Sequence, residues 1–427
     1  MFTERYRSHH DAERALSAAL NVTKRSDTVD WAEVEKTLRK SPPGGKRGIY
    51  IHVPHCDRIC TFCNLNRTER QGADLEAYAA YIIAEIKSYG AYPYVREQPF
   101  DAVYFGGGTP TVFSTDQFSR ILEALRRHIP LTADSEISVE STQHNLGVKK
   151  AAALEARGVN RFSIGIQTFS GRGRELLGRT FNEERAREEL LALRSAFTGA
   201  LGIDIIYSYP GQSLEEINRD AEICVSSNID SVSFYSLMIH RGSALGRSIE
   251  EGTLQFVRNV EWDRERHHAF YNKLTESGFT LLELSKLARP GRDAYRYIHI
   301  RYENGDLIPI GSGAGGSIAG YPVYSAAPGR RFVSPGNERY DRYYRMLGEL
   351  QFGRYDPAKL TAGLGPEAEQ AVTEKIGELS GRGFLNALPD SPVRVLSPDG
   401  VFWGNNIAVE VLRTAIDAAK KEEPIYA

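Results

Sequence analysis

From residue 48 onward, short apolar runs alternate with longer stretches in which apolar residues recur every three or four positions. The short runs are GIYIHVP (48–54), FDAVYFG (100–106), EISVES (136–141), RFSIGIQ (161–167), GIDIIYSYP (202–210) and SVSFYSLMI (231–239). They are rich in β-branched and aromatic residues and lead into polar or Gly-rich segments, which predicts strands. DLEAYAAYIIAEIKSYG, STDQFSRILEALRRHI, KKAAALEARG and LEEINRDAEICVSS lie between them and predict amphipathic helices. Such alternation predicts an α/β fold with a parallel sheet of βα units. Six units in succession fit an open (β/α)6 barrel over residues 46–250; a doubly wound open sheet has the same local pattern.

The flanks read differently. Residues 1–45 are polar and helix-compatible and close on Ser41-Pro42-Pro43-Gly44-Gly45, an N-terminal extension ended by a breaker run. The alternation loosens over 251–354, read as a region that completes the barrel around a substrate site. Residues 355–427 predict a small C-terminal α+β domain: helices around 366–381, a hairpin-like VRVLSPDGVFW, and a final helix from about 405.

Composition narrows the class. Of 427 residues, 41% are hydrophobic and 25% charged, ordinary for a globular protein. No apolar run approaches the ~18 residues of a membrane span, and the first residues lack the apolar core of a signal peptide, so a cytoplasmic location is expected. A net charge of −2, with both signs interspersed, predicts no nucleic-acid partner. Only four cysteines occur, and Cys56, Cys60 and Cys63 lie within HCDRICTFCN. Clustered thiols in a long chain indicate a metal or cluster site rather than a disulfide framework. Cys224, alone in a helical stretch, is expected to be a buried structural thiol.

The C-x3-C-x2-C run directly follows the first strand. Three thiolates can hold three irons of a four-iron cluster and leave one iron open, whereas an electron-transfer cluster takes four cysteines. On spacing alone a zinc site with His52 or His55 as fourth ligand stays open. The next strand leads into YFGGGTPT, which lacks both the dinucleotide fingerprint and the P-loop lysine. Its Gly107, Gly108 and Thr109 are expected to let backbone approach a ligand closely. Glu140, Gln167 and Asp204 stand at three further strand ends, and Arg179 follows in LLGRTF. In a parallel barrel such positions converge on the active site; helix capping or surface polarity is the alternative for each.

YIHVPHCDRICTFC, FGGGTPT, VNRFSIGIQTFS, the LGR of 177–179 and IDIIYSYPGQS together resemble the radical S-adenosylmethionine (SAM) proteins related to oxygen-independent coproporphyrinogen III oxidase, the HemN-like group. The resemblance runs from about 48 to 245, with further likeness at 281–291 and 383–406. It implies a partial (β/α)6 radical SAM barrel with a [4Fe–4S] cluster on Cys56, Cys60 and Cys63. It implies that Tyr50, Phe62 and the backbone near Met238 flank the adenosyl group, and that Gly107, Gly108, Thr109 and Glu140 take the methionine end. Gln167, Arg179 and Asp204 would complete the SAM site. A second SAM or a substrate would lie near Gly106, Gly311, Gly313, Ala314, Gly315 and Arg241.

Within the group, coproporphyrinogen oxidases carry another cysteine just beyond the third; here Cys63 is followed by Asn64-Leu65. PIGSGAGGSIAGY (309–321) and VFWGNN look most like the anaerobic haem-degrading methyltransferases of the ChuW/HutW/HmuW type. That resemblance implies methylation and opening of a haem or related tetrapyrrole with two SAM molecules, iron release, and a donor such as flavodoxin or ferredoxin. A haem chaperone, a coproporphyrinogen oxidase and a natural-product C-methylase or cyclopropanase are the alternatives. His240-Arg241-Gly242 and RPGRDAYRY (289–297) offer cations and aromatics for a tetrapyrrole, or solvated loop charge. His267-His268 are not expected to ligate iron.

Overall fold

The computed structural model describes residues 2–22, 28–63 and 65–422. All six expected strands form: β1 (Arg47–Val53), β2 (Phe100–Gly107), β3 (Leu131–Thr142), β4 (Arg161–Gln167), β5 (Ala200–Tyr207) and β6 (Ser231–Ser236). Every residue of β4 is buried, as a strand covered on both faces requires. The intervening helices include α1 (Leu75–Gly90), α2 (Thr115–His128), α3 (Val148–Glu155), α4 (Glu183–Ala196) and α5 (Leu214–Ser226). Ser114 with Gln117, and Ser213 with Glu216, form capping boxes that start α2 and α5.

Strand order decides between the two sheet architectures. β1 to β6 neighbour one another in chain order and pair in parallel. A doubly wound sheet reverses its order at a switch point; this one winds in a single direction. β6 does not pair with β1, so the barrel stays open.

Both edges are extended by later chain. β7 (Thr280–Glu283) and β8 (Lys286–Ala288) form a hairpin whose β8 runs antiparallel to β6. β9 (Asp306–Ile310) adds a seventh parallel strand beside β1, and β10 (Ala314–Ile318), β11 (Tyr321–Ala327) and β12 (Arg330–Val333) continue antiparallel. Below the open barrel, Arg161 is fully buried and gives two hydrogen bonds to Asp293, at 2.9 and 3.0 Å. Asp293 also accepts from Ser231 at 2.5 Å.

The N-terminal extension is helical as expected and packs inward, and one expectation for the C-terminal flank fails. The N-terminal residues are part of the core: the helix His9–Ala19 buries Ala12, Ala15 and Leu16 against the helices Glu338–Gln351 and Gly404–Glu422. The hairpin expected in VRVLSPDGVFW is not one. Arg394–Leu396 is the central strand of a three-stranded sheet with Arg354–Tyr355 and Leu385–Ala387, and Pro398–Phe402 is a helical turn. Ser397 caps that turn, with Pro398 at its first position and Asp399 within it, the ordinary chemistry of a helix start.

Candidate functional site

β1 delivers the cysteine loop, and β2 delivers the glycine loop that holds it. Gly108 N–H donates to the Val53 carbonyl and Thr109 N–H to the His55 carbonyl, both at 2.8 Å. A Cβ on Gly108 would stand 2.7 Å from the His55 oxygen and 2.9 Å from Cys56 Sγ. Gly107 has φ +116°, and a Cβ there would meet the His52 ring at 2.8 Å. These glycines are therefore required first by the loop's own approach to the cysteines. Thr109 Oγ1 donates to Cys56 Sγ at 3.5 Å. Burial pushes the Cys56 thiol up to about 11, and the Thr109 hydroxyl works against that shift.

Cys56, Cys60 and Cys63 line one cavity of about 240 Å³, together with Phe62, Gly107, Gly108, Thr109, Glu140, Gln167, Arg179 and Asp204. Eight of the ten residues expected around SAM thus converge on the thiols. Arg179 Nη1 lies 3.1 Å from Cys60 Sγ, and its Nη2 donates to the Gly165 carbonyl. Gln167 ends β4 in the left-handed region, at φ +75°, a conformation that bulky residues hold only under constraint. Its Oε1 and the Nε of Arg179 are buried without a hydrogen-bond partner. Unsatisfied polar atoms on a cavity wall mark a place for a ligand.

His52 is not a spare metal ligand. Its Nδ1 shares a hydrogen bond with Tyr50 Oη and its Nε2 one with the Asn66 carbonyl, each at 3.0 Å. His55 Nδ1 meets Thr68 Oγ1 at 3.2 Å. Asn64 lies outside the described residues.

Glu140 faces this cavity and a second of about 650 Å³. Burial raises its carboxyl to about 7, although it accepts from Tyr104 Oη at 2.6 Å and from the Gly107 N–H at 3.2 Å. Asp204 adds to the rise. The second cavity is walled by Tyr50, Tyr104, Tyr295 and Tyr297, with Arg301 and the glycine-rich loop opposite. Tyr104 and Tyr297 stack at 4.3 Å. Gly106 makes room here: a Cβ would lie 3.1 Å from both Tyr50 and Tyr104 and 3.2 Å from Glu140 Oε2.

Over residues 50–224 the sequence matches the radical SAM superfamily. It is 30% identical over 303 residues to the anaerobilin synthase of Escherichia coli O157:H7, covering 71% of this chain and 67% of that one. The chain belongs to the HemN-like radical SAM family. It is also 27% identical over 284 residues to the Heme chaperone HemW of Lactococcus lactis, covering 66% of this chain and 73% of that protein. The fold agrees: the coproporphyrinogen III oxidase (HemN) of Escherichia coli, a radical SAM enzyme, superposes with a TM-score of 0.72 at 20% identity, over 91% of this chain and 93% of that one. This is a radical SAM enzyme, and its cofactors are a [4Fe–4S] cluster and SAM. No helix among the described residues is long and apolar enough to cross a membrane.

Some expected radical SAM site residues stand elsewhere. Tyr50 faces the second cavity, and Met238 lines a third cleft beside the N-terminal residues. Gly313 and Gly315 line the second cavity, whereas Ala314 is fully buried. A Cβ on Gly311 would sit 2.4 Å from the His52 carbonyl, so that glycine serves packing. Arg241 is 95% exposed and lies 3.5 Å from Glu250. Of the cations in 289–297, Arg292 pairs with Asp230 and Arg296 with Asp134, and Arg289 donates to the Ile229 and Val225 carbonyls. His267 is buried among Phe234, Tyr271 and Phe402.

Sequence reasoning passed over Tyr104 and Tyr235, which lines the first cavity. Tyr104 was accessible to it: Tyr50 and Tyr104 are paired in register, and His52 faces Gly106 two residues on. The period of two that places Gly106 inward therefore places Tyr104 inward too.

Proposed function

We propose that the protein is a radical SAM C-methyltransferase that methylates haem and opens its ring to a linear tetrapyrrole, releasing iron. The observation that carries this reading is the second cavity, which meets the cysteine cavity at Glu140 and is walled by tyrosines. At about 650 Å³ it lies within the ~300–1,000 Å³ range of small-molecule sites, and its aromatic walls suit a flat ring. The likeness to an anaerobilin synthase points the same way.

Cys56, Cys60 and Cys63 would hold the cluster, which supplies the electron that splits SAM reductively into methionine and a 5′-deoxyadenosyl radical. Glu140 would accept from the SAM ammonium, and the Arg179 guanidinium would pair with its carboxylate. Gln167 and Asp204 would take the ribose hydroxyls, and Phe62 and Tyr235 would flank the adenine. Of two SAM molecules, one would be split to methionine and the 5′-deoxyadenosyl radical, which takes a hydrogen atom from the methyl group of the other and leaves as 5′-deoxyadenosine. The other would transfer its methyl carbon to the ring and leave as S-adenosylhomocysteine. Gly313 and Gly315, with Tyr50, would bound the second SAM or the ring. Electrons would come singly from a donor of the flavodoxin or ferredoxin type, and thiols kept out of disulfides and available to a cluster suit a reducing cytoplasm.

Anaerobic incubation of the reduced, cluster-loaded protein with haem and SAM tests this. Loss of the haem absorption band, with 5′-deoxyadenosine and S-adenosylhomocysteine both formed, is expected. Intact haem would overturn it. The likeness to HemW favours a second reading, a haem chaperone, which predicts stoichiometric haem binding and transfer without S-adenosylhomocysteine. Carbon dioxide from coproporphyrinogen III would instead reveal an oxidase.

A further inference from the structure

A third cleft, of about 1120 Å³, opens between the N-terminal residues and the end of β6. It touches both cavities already described: Leu65 is shared with the cysteine cavity and His10 with the tyrosine cavity. Arg5, Arg7, Arg14, Arg258 and Arg413 line it, brought together from three distant parts of the chain. Glu4 and Asp11 are its acids, and Asp11 is already engaged by the Ser8 cap and by Arg14.

The arginines are held close without matching counter-charge. Arg258 donates to the Leu237 carbonyl at 2.7 Å, and Arg5 to the Phe402 carbonyl at 2.8 Å, so backbone rather than carboxylate fixes both. Arg7 reaches buried Asp263 only at 3.5 Å, and its Nε is buried with no partner. Arg413 is exposed on the final helix and forms no ion pair among the described residues. Burial lowers Arg258 to about 10, and the neighbouring charges of Arg7 and Arg5 add to the effect. Like charges so gathered destabilise the protein until an anion joins them.

We infer that Arg7, Arg258 and Arg413 form a carboxylate-binding cleft that grips the acidic edge of the tetrapyrrole while its ring occupies the tyrosine cavity. Guanidinium forks match carboxylates bidentately, and His10, which lines both the tyrosine cavity and the cleft, marks where propionates on one edge of the ring would enter it. Arg301, within the tyrosine cavity, lies 3.9 Å from Glu13 and already has an acid beside it. The inference rests on the proposed haem reading but can fail separately.

The test is equilibrium binding to the cluster-loaded full chain, with four probes: haem, haem dimethyl ester, coproporphyrin III and its tetramethyl ester. Wild type is expected to bind haem about tenfold or more tightly than the ester, since a charge-assisted contact contributes ~1.5–3 kcal/mol and 1.4 kcal/mol is tenfold. Arg413→Gln and Arg258→Gln should each weaken haem about tenfold and leave the ester unchanged, with Arg258→Lys recovering part of the loss. Arg413→Gln removes no hydrogen bond or ion pair among the described residues, and an unchanged thermal midpoint of the variant separates lost binding from lost folding. Equal binding of acid and ester, unchanged in the variants, would overturn the cleft and leave the haem reading standing. Arginine-dependent binding of coproporphyrin III without haem binding would overturn the haem reading and keep the cleft. Binding of neither acid would overturn both.

Discussion

Glu140 concentrates the chemistry of the site in one carboxyl group. With its pKa raised to about 7 by burial, it is part-protonated near neutrality before SAM arrives. In the proposed site the SAM ammonium selects the carboxylate, so affinity falls as pH drops through about 7, by up to about tenfold per unit, and loss of the ammonium proton weakens it again above about pH 8. Titration calorimetry with SAM between about pH 5.5 and 7.5, below the titration of the ammonium, checks this, and Glu140→Gln should bind weakly with a flat profile over that range. A steep profile that survives in the variant would assign the titration elsewhere. Gly108 presents the opposite case, a residue defined by what it lacks. Gly108→Ala puts a methyl group 2.9 Å from Cys56 Sγ and 2.7 Å from the His55 carbonyl. Overpacking of this kind costs ~1–3 kcal/mol, and the expected readout is a reconstituted protein with less than half the wild-type iron per chain.

At the scale of elements, parallel strands read clearly because burial on both faces leaves nearly unbroken apolar runs; RFSIGIQ coincides with β4 from end to end. Legibility failed where one residue type signals two structures. Ser397-Pro398-Asp399-Gly400 suits a turn and a helix start equally, and contacts remote in sequence hold the helical choice, with Ser397 donating to the Phe384 and Gly383 carbonyls. The charges of 289–297 are similar. Their partners, Asp230 for Arg292, Asp134 for Arg296 and Arg161 for Asp293, are remote in sequence, so no local pattern marks them as structural. Burial works to raise the Asp293 carboxyl, but Arg161, aided by Lys286 and Ser231, outweighs it and holds the group well below the usual range. Its stabilisation is therefore complete above about pH 4 and lost as pH falls below that. Asp293→Ala strands Arg161 in the interior and should cost about 3–5 kcal/mol. Urea unfolding at pH 7 measures that cost, and wild type should lose stability more steeply than the variant below pH 4.

For the whole molecule, the thiols, the glycine loop and the strand-end polar residues were legible because each stands at the end of a recognisable strand. The N-terminal role was not. Nothing in a polar helix announces that its few apolar residues, Ala12, Ala15 and Leu16, close against the far end of the chain. Leu16→Ala should therefore lower global stability by about 2–5 kcal/mol, as a core truncation does. A thermal midpoint unchanged within a degree would show instead that the segment is peripheral. Since the same helix carries His10 to the edge of the tyrosine cavity, folding of the first and last segments shapes the site that β1 to β6 only begin.

The placement of Glu140 on a wall common to two cavities has a consequence for the order of events. A ligand that fixes its charge in one cavity alters the potential seen in the other, so the two occupancies are thermodynamically linked. Whatever factor SAM imposes on the affinity of the neighbouring ligand, that ligand must impose on SAM in return. A carboxyl held at about 7 lets both that reciprocity and its strength be tuned by the proton. Occupancy of the tyrosine cavity and binding of SAM would therefore behave as one coupled equilibrium rather than two independent ones.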